Sequence, residues 1–197
     1  MERFIRTDWR DPAGTRAKFH AYTDELLKRS RVAARSGADL VTWQEYGAIL
    51  FESGVEAFLK KAMTIVREET VNLAPDYACL PVEFPRKPLE NKVVWIDPLG
   101  HVITQYCKNH PVSRENIRIG DGKVRLVETS FGNVGIVICL DADFPGFVRQ
   151  AGQAGAGLLL DPAQDSRRID PLHTHMAAFR AISNGLAVVK PTGDGLS

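Results

Sequence analysis

Val134-Gly135-Ile136-Val137-Ile138 is an apolar run of the buried type, and it ends in a lone cysteine, Cys139. Leu140-Asp141-Ala142-Asp143-Phe144-Pro145 follows, with acidic residues and a proline that can open a helix, so the stretch reads as strand, sharp turn, helix. A thiol on such a turn is placed for attack, because a helix N-terminus favours thiolate and offers N–H groups to a developing oxyanion. A nucleophilic cysteine also needs a proton acceptor, and acyl chemistry needs positive charge near the tetrahedral oxygen. Two other strand ends carry such groups. Glu45 follows Val41-Thr42-Trp43-Gln44, where desolvation can raise a carboxylate's pKa, and Lys108 ends Tyr106-Cys107 ahead of Asn109-His110-Pro111. Each has an ordinary reading on its own: a small core cysteine, a solvated loop acid, a surface ammonium.

The elements that must position these groups alternate between helix and strand. Residues Thr15 to Ser36 place Phe19, Tyr22, Leu26, Leu27, Val32 and Ala33 on one helical face, after a short strand at Phe4 to Thr7 and a turn at Arg10 to Gly14. Ala38 to Trp43 is a short strand. Gly54 to about Val71 is a second amphipathic helix, and Tyr77 to Val82 another strand. Asn91 to Asp97 and His101 to Tyr106 flank Pro98-Leu99-Gly100 as a hairpin. Lys123 to Glu128 pairs with Gly132 to Ile138; a helix from about Phe147 to Ala154, a strand at Leu158 to Leu160, a helix from Pro171 to Asn184 and a strand from Leu186 to Lys190 complete the order. Helices interleaved with strands and hairpins predict an α/β domain with mixed sheets. No linker or repeat divides residues 1–197, so one domain is expected.

Composition excludes several classes of function. The 25 basic and 24 acidic residues give a net charge of +1 without a basic run, which argues against nucleic acid as a partner. No apolar run approaches the roughly 20 residues that span a bilayer, and the N-terminal stretch lacks the apolar core of a signal peptide. Cys79, Cys107 and Cys139 lack CxxC spacing, which disfavours a zinc cage or a disulfide framework. His173 and His175 stand at i, i+2, on different faces of a helix, and read as capping or packing residues; no metal and no cofactor is expected. Gly152, Gly155 and Gly157 follow a helix and precede a strand, the reverse of a phosphate loop. Asp165, after the Leu158 strand, is expected on a substrate-facing loop or as an ordinary turn acid.

Taken together, Trp43-Gln44-Glu45-Tyr46, Tyr106-Cys107-Lys108-Asn109-His110-Pro111 and Gly135-Ile136-Val137-Ile138-Cys139-Leu140-Asp141 resemble, in order and spacing, the Glu, Lys, Cys signature of the nitrilase, or carbon–nitrogen hydrolase, superfamily. Phe144-Pro145-Gly146-Phe147-Val148-Arg149, Gly157 to Asp165 and His173 to Gly185 look most like the hydrolase domain of the apolipoprotein N-acyltransferases. The resemblance implies a four-layer α-β-β-α sandwich, with Cys139 as nucleophile, Glu45 as general base and later acid, and Lys108 as stabiliser of the tetrahedral intermediate. Glu115 resembles the additional family glutamate at a spacing one residue off, and Asp141 stands where acyltransferase relatives tend to carry Glu.

Three functions follow as expectations. The first is a thiol-dependent amidase- or nitrilase-type hydrolase in the cytoplasm. The second is an acyltransferase domain at an extracytoplasmic membrane face, tethered by helices outside this chain. The third is an inert scaffold used for association. The partner expected of either enzyme is a small amide, nitrile or acyl donor. The family usually continues through further strands after the position of Ser197, so residues 1–197 are expected to be a domain incomplete at the C-terminus, lacking C-terminal and also N-terminal strands; the edge left unpaired makes a homo-oligomer a further expectation.

Overall fold

The computed structural model describes residues 12–194. Its first element is helix α1 (Pro12–Arg35), followed by β1 (Leu40–Thr42), β2 (Ala48–Phe51), α2 (Val55–Glu69), β3 (Asn72–Ala74), β4 (Asp76–Leu80), β5 (Glu90–Ile96) and β6 (Val102–Cys107). The second half carries β7 (Arg125–Thr129), β8 (Gly132–Ile136), α3 (Pro145–Gln153), β9 (Leu158–Leu160), α4 (Leu172–Ser183) and β10 (Ala187–Val189). The strands form two mixed sheets. One has the order β1-β3-β5-β4-β2 with β6 on β5, and the other the order β10-β9-β8-β7.

The alternation of side chains along β5 explains the layering. Val94 and Ile96 pack with Phe58, Ala62, Ile65 and Val66 of α2 and Leu27 of α1, whereas Val93 and Trp95 join Val127, Val134 and Ile136 of the second sheet. On the far side of that sheet, Val148 and Ala151 of α3 and Ala177 and Ala181 of α4 close the same cluster. Two helices, sheet, sheet and two helices are therefore the order of the layers, which is the expected four-layer α-β-β-α sandwich. The α2 contacts fall at i, i+4, i+7 and i+8, one stripe of a 3.6-residue period, and burying each large side chain there contributes about 1.5–3 kcal/mol.

The hairpins at β5–β6 and β7–β8 pair antiparallel as their turn residues predict. Three local readings change. Pro12 to Gly14, expected in a turn, opens α1, which Pro at a first helical turn permits. Two strands escape the sequence pattern. Ala48–Phe51 pairs parallel with β4, and Asn72–Ala74, just past the end expected for the second helix at about Val71, pairs with β1 and β5. Both are too short for a period, and only the partner strands select an extended backbone over a loop. The expected strand at Phe4 to Thr7 lies outside the described residues.

Candidate active site

The parallel strands β8, β9 and β10 deliver their C-terminal ends to one edge. Past the strands proper the ladder continues, with Cys139 N–H donating to Pro162 O at 2.9 Å and Ala163 N–H to Pro191 O at 2.9 Å. From the other sheet, the ends of β1 and β6 bring Glu45 and Lys108 to the same place. Gln164 N–H crosses the gap to donate to Glu45 Oε2 at 2.9 Å.

Glu45 and Lys108 form a buried pair. Lys108 Nζ donates to Glu45 Oε1 at 2.7 Å, and the two residues are 1% and 2% exposed for lysine and glutamate respectively. Asn91 Nδ2 donates to the same oxygen at 2.8 Å, so Glu45 is fixed by three donors from three segments. Lys108 also reaches Glu115 Oε2 at 3.0 Å, and Glu115 accepts in addition from Val112 N–H at 2.9 Å and from the Tyr46 hydroxyl. Burial opposes the ammonium, but Glu45, the Cys139 sulfur and Glu115 outweigh it and hold the Lys108 pKa above its ordinary value. Glu45 is aimed by its neighbour. Tyr46 adopts φ +55, and Asp76 Oδ1 holds that left-handed turn by accepting Tyr46 N–H at 2.7 Å. Gly47 completes it, since a Cβ there would lie 2.8 Å from Trp43 Cβ. Asp76 is fully buried, and burial with the nearby Glu45 charge pushes its carboxyl well above the usual range.

Cys139 begins a single 3₁₀ turn (Cys139–Asp143) rather than the helix itself, which starts at Pro145. Its φ of +51 is uncommon for a residue with a Cβ and costs about 1–2 kcal/mol, a strain that recurs where a side chain must be thrust out of a strand end. The thiol is 6% exposed. Burial and the Glu45 charge push its pKa well up, with Asp161 adding to the rise, while the Lys108 and Lys190 ammonium groups pull it down. The resting group is a thiol.

Asp141 is engaged in holding the site together. It accepts from Ile138 N–H at 3.1 Å, from Asn109 N–H at 3.1 Å, from His110 N–H at 2.7 Å and from the Tyr106 hydroxyl, and His110 Nδ1 lies 2.7 Å from Oδ1. The carboxylate thus latches the Lys108 segment onto the Cys139 turn. Asp165 is buried, with Oδ1 2.6 Å from His173 Nδ1 and Oδ2 3.1 Å from Lys190 Nζ. Both oxygens are turned into the protein. His175 is exposed on α4, whereas His173 is buried beside Asp165.

Among the described residues, Cys139, Asp165 and His173 bring a sulfur, a carboxylate oxygen and a ring nitrogen within 4.8 Å of one another, a donor set that a metal could use. Lys190, 3.1 Å from Asp165, already supplies that cluster with cationic charge. Reading the sequence passed over Lys190, Asp161 and Asn91. The first two end apolar strands just as Lys108 does, and Asn91 interrupts the apolar pattern of β5. A polar group at the end of a buried strand was thus the signal for Lys190 and Asp161.

A model of the carbon-nitrogen hydrolase family matches residues 6–195. Apolipoprotein N-acyltransferase of Geobacter metallireducens is 24% identical over 204 residues, covering 91% of this chain; the chain spans 39% of that curated relative's length. Among solved structures, the carbon-nitrogen hydrolase of Helicobacter pylori G27 superposes with a TM-score of 0.78 at 18% identity, covering 91% of this chain and 70% of the other. An amidase from Nesterenkonia sp. superposes with a TM-score of 0.73 at 20% identity, covering 88% of this chain and 70% of the other. No helix among the described residues is long and apolar enough to cross a membrane. With its family model matched across nearly all of its length, this chain belongs to the carbon–nitrogen hydrolase family.

Proposed function

We propose that the chain is a cysteine-dependent amidase-type hydrolase working through a thioester on Cys139. The observation that carries the reading is the buried Lys108–Glu45 contact of 2.7 Å at strand ends of the first sheet, facing the strand end of the second sheet that carries the strained Cys139. Glu45 takes the Sγ proton as sulfur attacks the amide carbon. The carbonyl π pair moves onto oxygen, where Lys108 and a backbone N–H near Leu140 face the new charge. Collapse re-forms the carbonyl and expels the amine, which receives the proton from Glu45. Water then attacks the thioester, giving its proton to Glu45; the tetrahedral intermediate collapses, the C–S bond breaks, the acid departs and Glu45 returns the proton to Sγ. Glu115 shares Lys108 and keeps it charged in place.

A second reading, transfer of the acyl group to an amine, is favoured by the likeness to an apolipoprotein N-acyltransferase. It differs only in the second nucleophile. Intact-mass measurement after exposure to small amides, nitriles and phospholipids tests both. A transient acyl adduct from a small amide, lost in Cys139→Ser, is the outcome expected of the hydrolase, and a persistent long-chain adduct that of the acyltransferase. Absence of any adduct, with iodoacetamide labelling all three cysteines alike, overturns both.

A further inference from the structure

Lys108 and Glu45 reach the sulfur from the first sheet. A separate ionic cluster reaches it from the second. Asp165 follows β9, His173 lies on α4 and Lys190 follows β10, so three separate segments meet at a carboxylate whose Oδ1 lies 2.6 Å from the imidazole Nδ1 and whose Oδ2 forms an ion pair with the ammonium at 3.1 Å. Lys190 Nζ also lies 3.4 Å from His173 Nδ1 and 3.8 Å from Asp161 Oδ2. A His173 ring nitrogen, an Asp165 oxygen and Cys139 Sγ all fall within 4.8 Å of each other. Buried charges this dense are costly, and a hydrophobic filling of these strand ends would be as stable or more so. Their placement around the sulfur gives them a use.

We propose that His173 and Lys190, held by Asp165, are positioning residues that seat the Cys139 side chain and stabilise its thiolate from the second sheet. This deepens the reading of Cys139 as the reacting thiol and rests on it. The charge balance favours that role. The groups facing the sulfur are Glu45, Lys108, Asp161, Asp165, His173 and Lys190. Burial raises Asp161 to a pKa of about 7, against the pull of Lys190 and His173, so over the acidic side of neutrality it carries a proton and no charge. Burial opposes the imidazolium, but the bond to Asp165 outweighs it, and with Asp143 on the other side of the ring the pKa of His173 is raised. His173 and Lys190 thus stand with Asp165 on the second-sheet side of the sulfur, opposite Glu45 and Lys108 on the first, while Asp143 lies 3.4 Å from the outer nitrogen of His173. Formation of the thiolate on the way to the acyl-enzyme meets a field from both sheets.

The pH profile of Cys139 alkylation by iodoacetamide, followed by mass, tests this without turnover. His173→Gln keeps an N–H donor toward Asp165 and removes the charge; it is expected to move the profile to higher pH and slow alkylation about tenfold at fixed pH, one pH unit per factor of ten. Lys190→Met is expected to do the same, and Lys190→Arg to restore the native profile, with melting temperatures verifying that each variant is folded. If Lys190→Met does not fold, His173→Gln decides alone. A native profile in the folded His173→Gln protein overturns the proposal and leaves a structural cluster. The failures are separable: a shifted profile without acyl adducts from any donor refutes the hydrolase reading alone, while adducts with an unmoved profile refute this inference alone.

Discussion

Asp141 Oδ1 accepts the His110 backbone N–H at 2.7 Å, and this bond joins the segment that carries Lys108 to the turn that carries Cys139. The two segments belong to different sheets, so the carboxylate ties one face of the site to the other. Among its further partners, Ile138 N–H lies on the Cys139 side of the join, and Asn109 N–H and the Tyr106 hydroxyl on the Lys108 side. Removing it leaves several buried donors unpaired, each costing about 1–3 kcal/mol. Asp141→Ala is expected to lower the melting temperature by on the order of 10 °C and Asp141→Asn by less, checked by thermal unfolding.

Lys108 has a structural role and, in the proposed hydrolase, a chemical one, and substitution can separate the two. Lys108→Met leaves Glu45 and Glu115 buried without their cation, a loss of about 3–5 kcal/mol. The double variant Lys108→Met/Glu115→Gln removes one of the uncompensated carboxylates and is expected to recover part of that stability. Acyl-adduct formation should stay at least about a hundredfold slower than native in both variants. Recovery of the adduct rate along with stability would sink the oxyanion role.

Asp161 makes stability depend on pH. Its folded pKa of about 7 exceeds the ordinary unfolded value near ~3.9, so the folded state binds the extra proton between those limits. The associated stability is complete below the unfolded pKa and is lost as pH rises through about 7. Asp161→Asn carries no such proton. Its melting temperature relative to native protein is expected to rise between pH 5 and pH 8; a flat difference would show that Asp161 ionises normally.

Gly120 lies under the Lys108 segment, its N–H donating to Lys108 O at 2.9 Å, and a Cβ there would sit 2.5 Å from Cys107 O. Backbone on backbone leaves no flexible group to yield. Gly120→Ala is expected to slow acylation about tenfold or more, through displacement of an ammonium that must be placed within a fraction of an ångström. Gly146→Ala, where a Cβ would meet nothing within 4 Å, serves as the control and should leave the rate unchanged.

The helices, the two hairpins and the three strand ends that carry sulfur, acid and ammonium are legible in the sequence alone. Apolar periodicity is local: α2 shows its stripe through Phe58, Ala62, Ile65 and Val66, and the β5–β6 hairpin is marked by Pro98-Leu99-Gly100, without reference to the rest of the chain. Spacing in the chain also carried the family likeness. Only the tertiary structure decided what each acid does. Glu45, Asp76, Glu115, Asp141, Asp161 and Asp165 look alike in the chain, but their roles follow from which N–H groups and ammonium ions, far away in sequence, are brought against them when they are buried. The strands Ala48–Phe51 and Asn72–Ala74 were illegible for the same reason, since three or four residues hold an extended backbone only by the hydrogen bonds that distant partners supply.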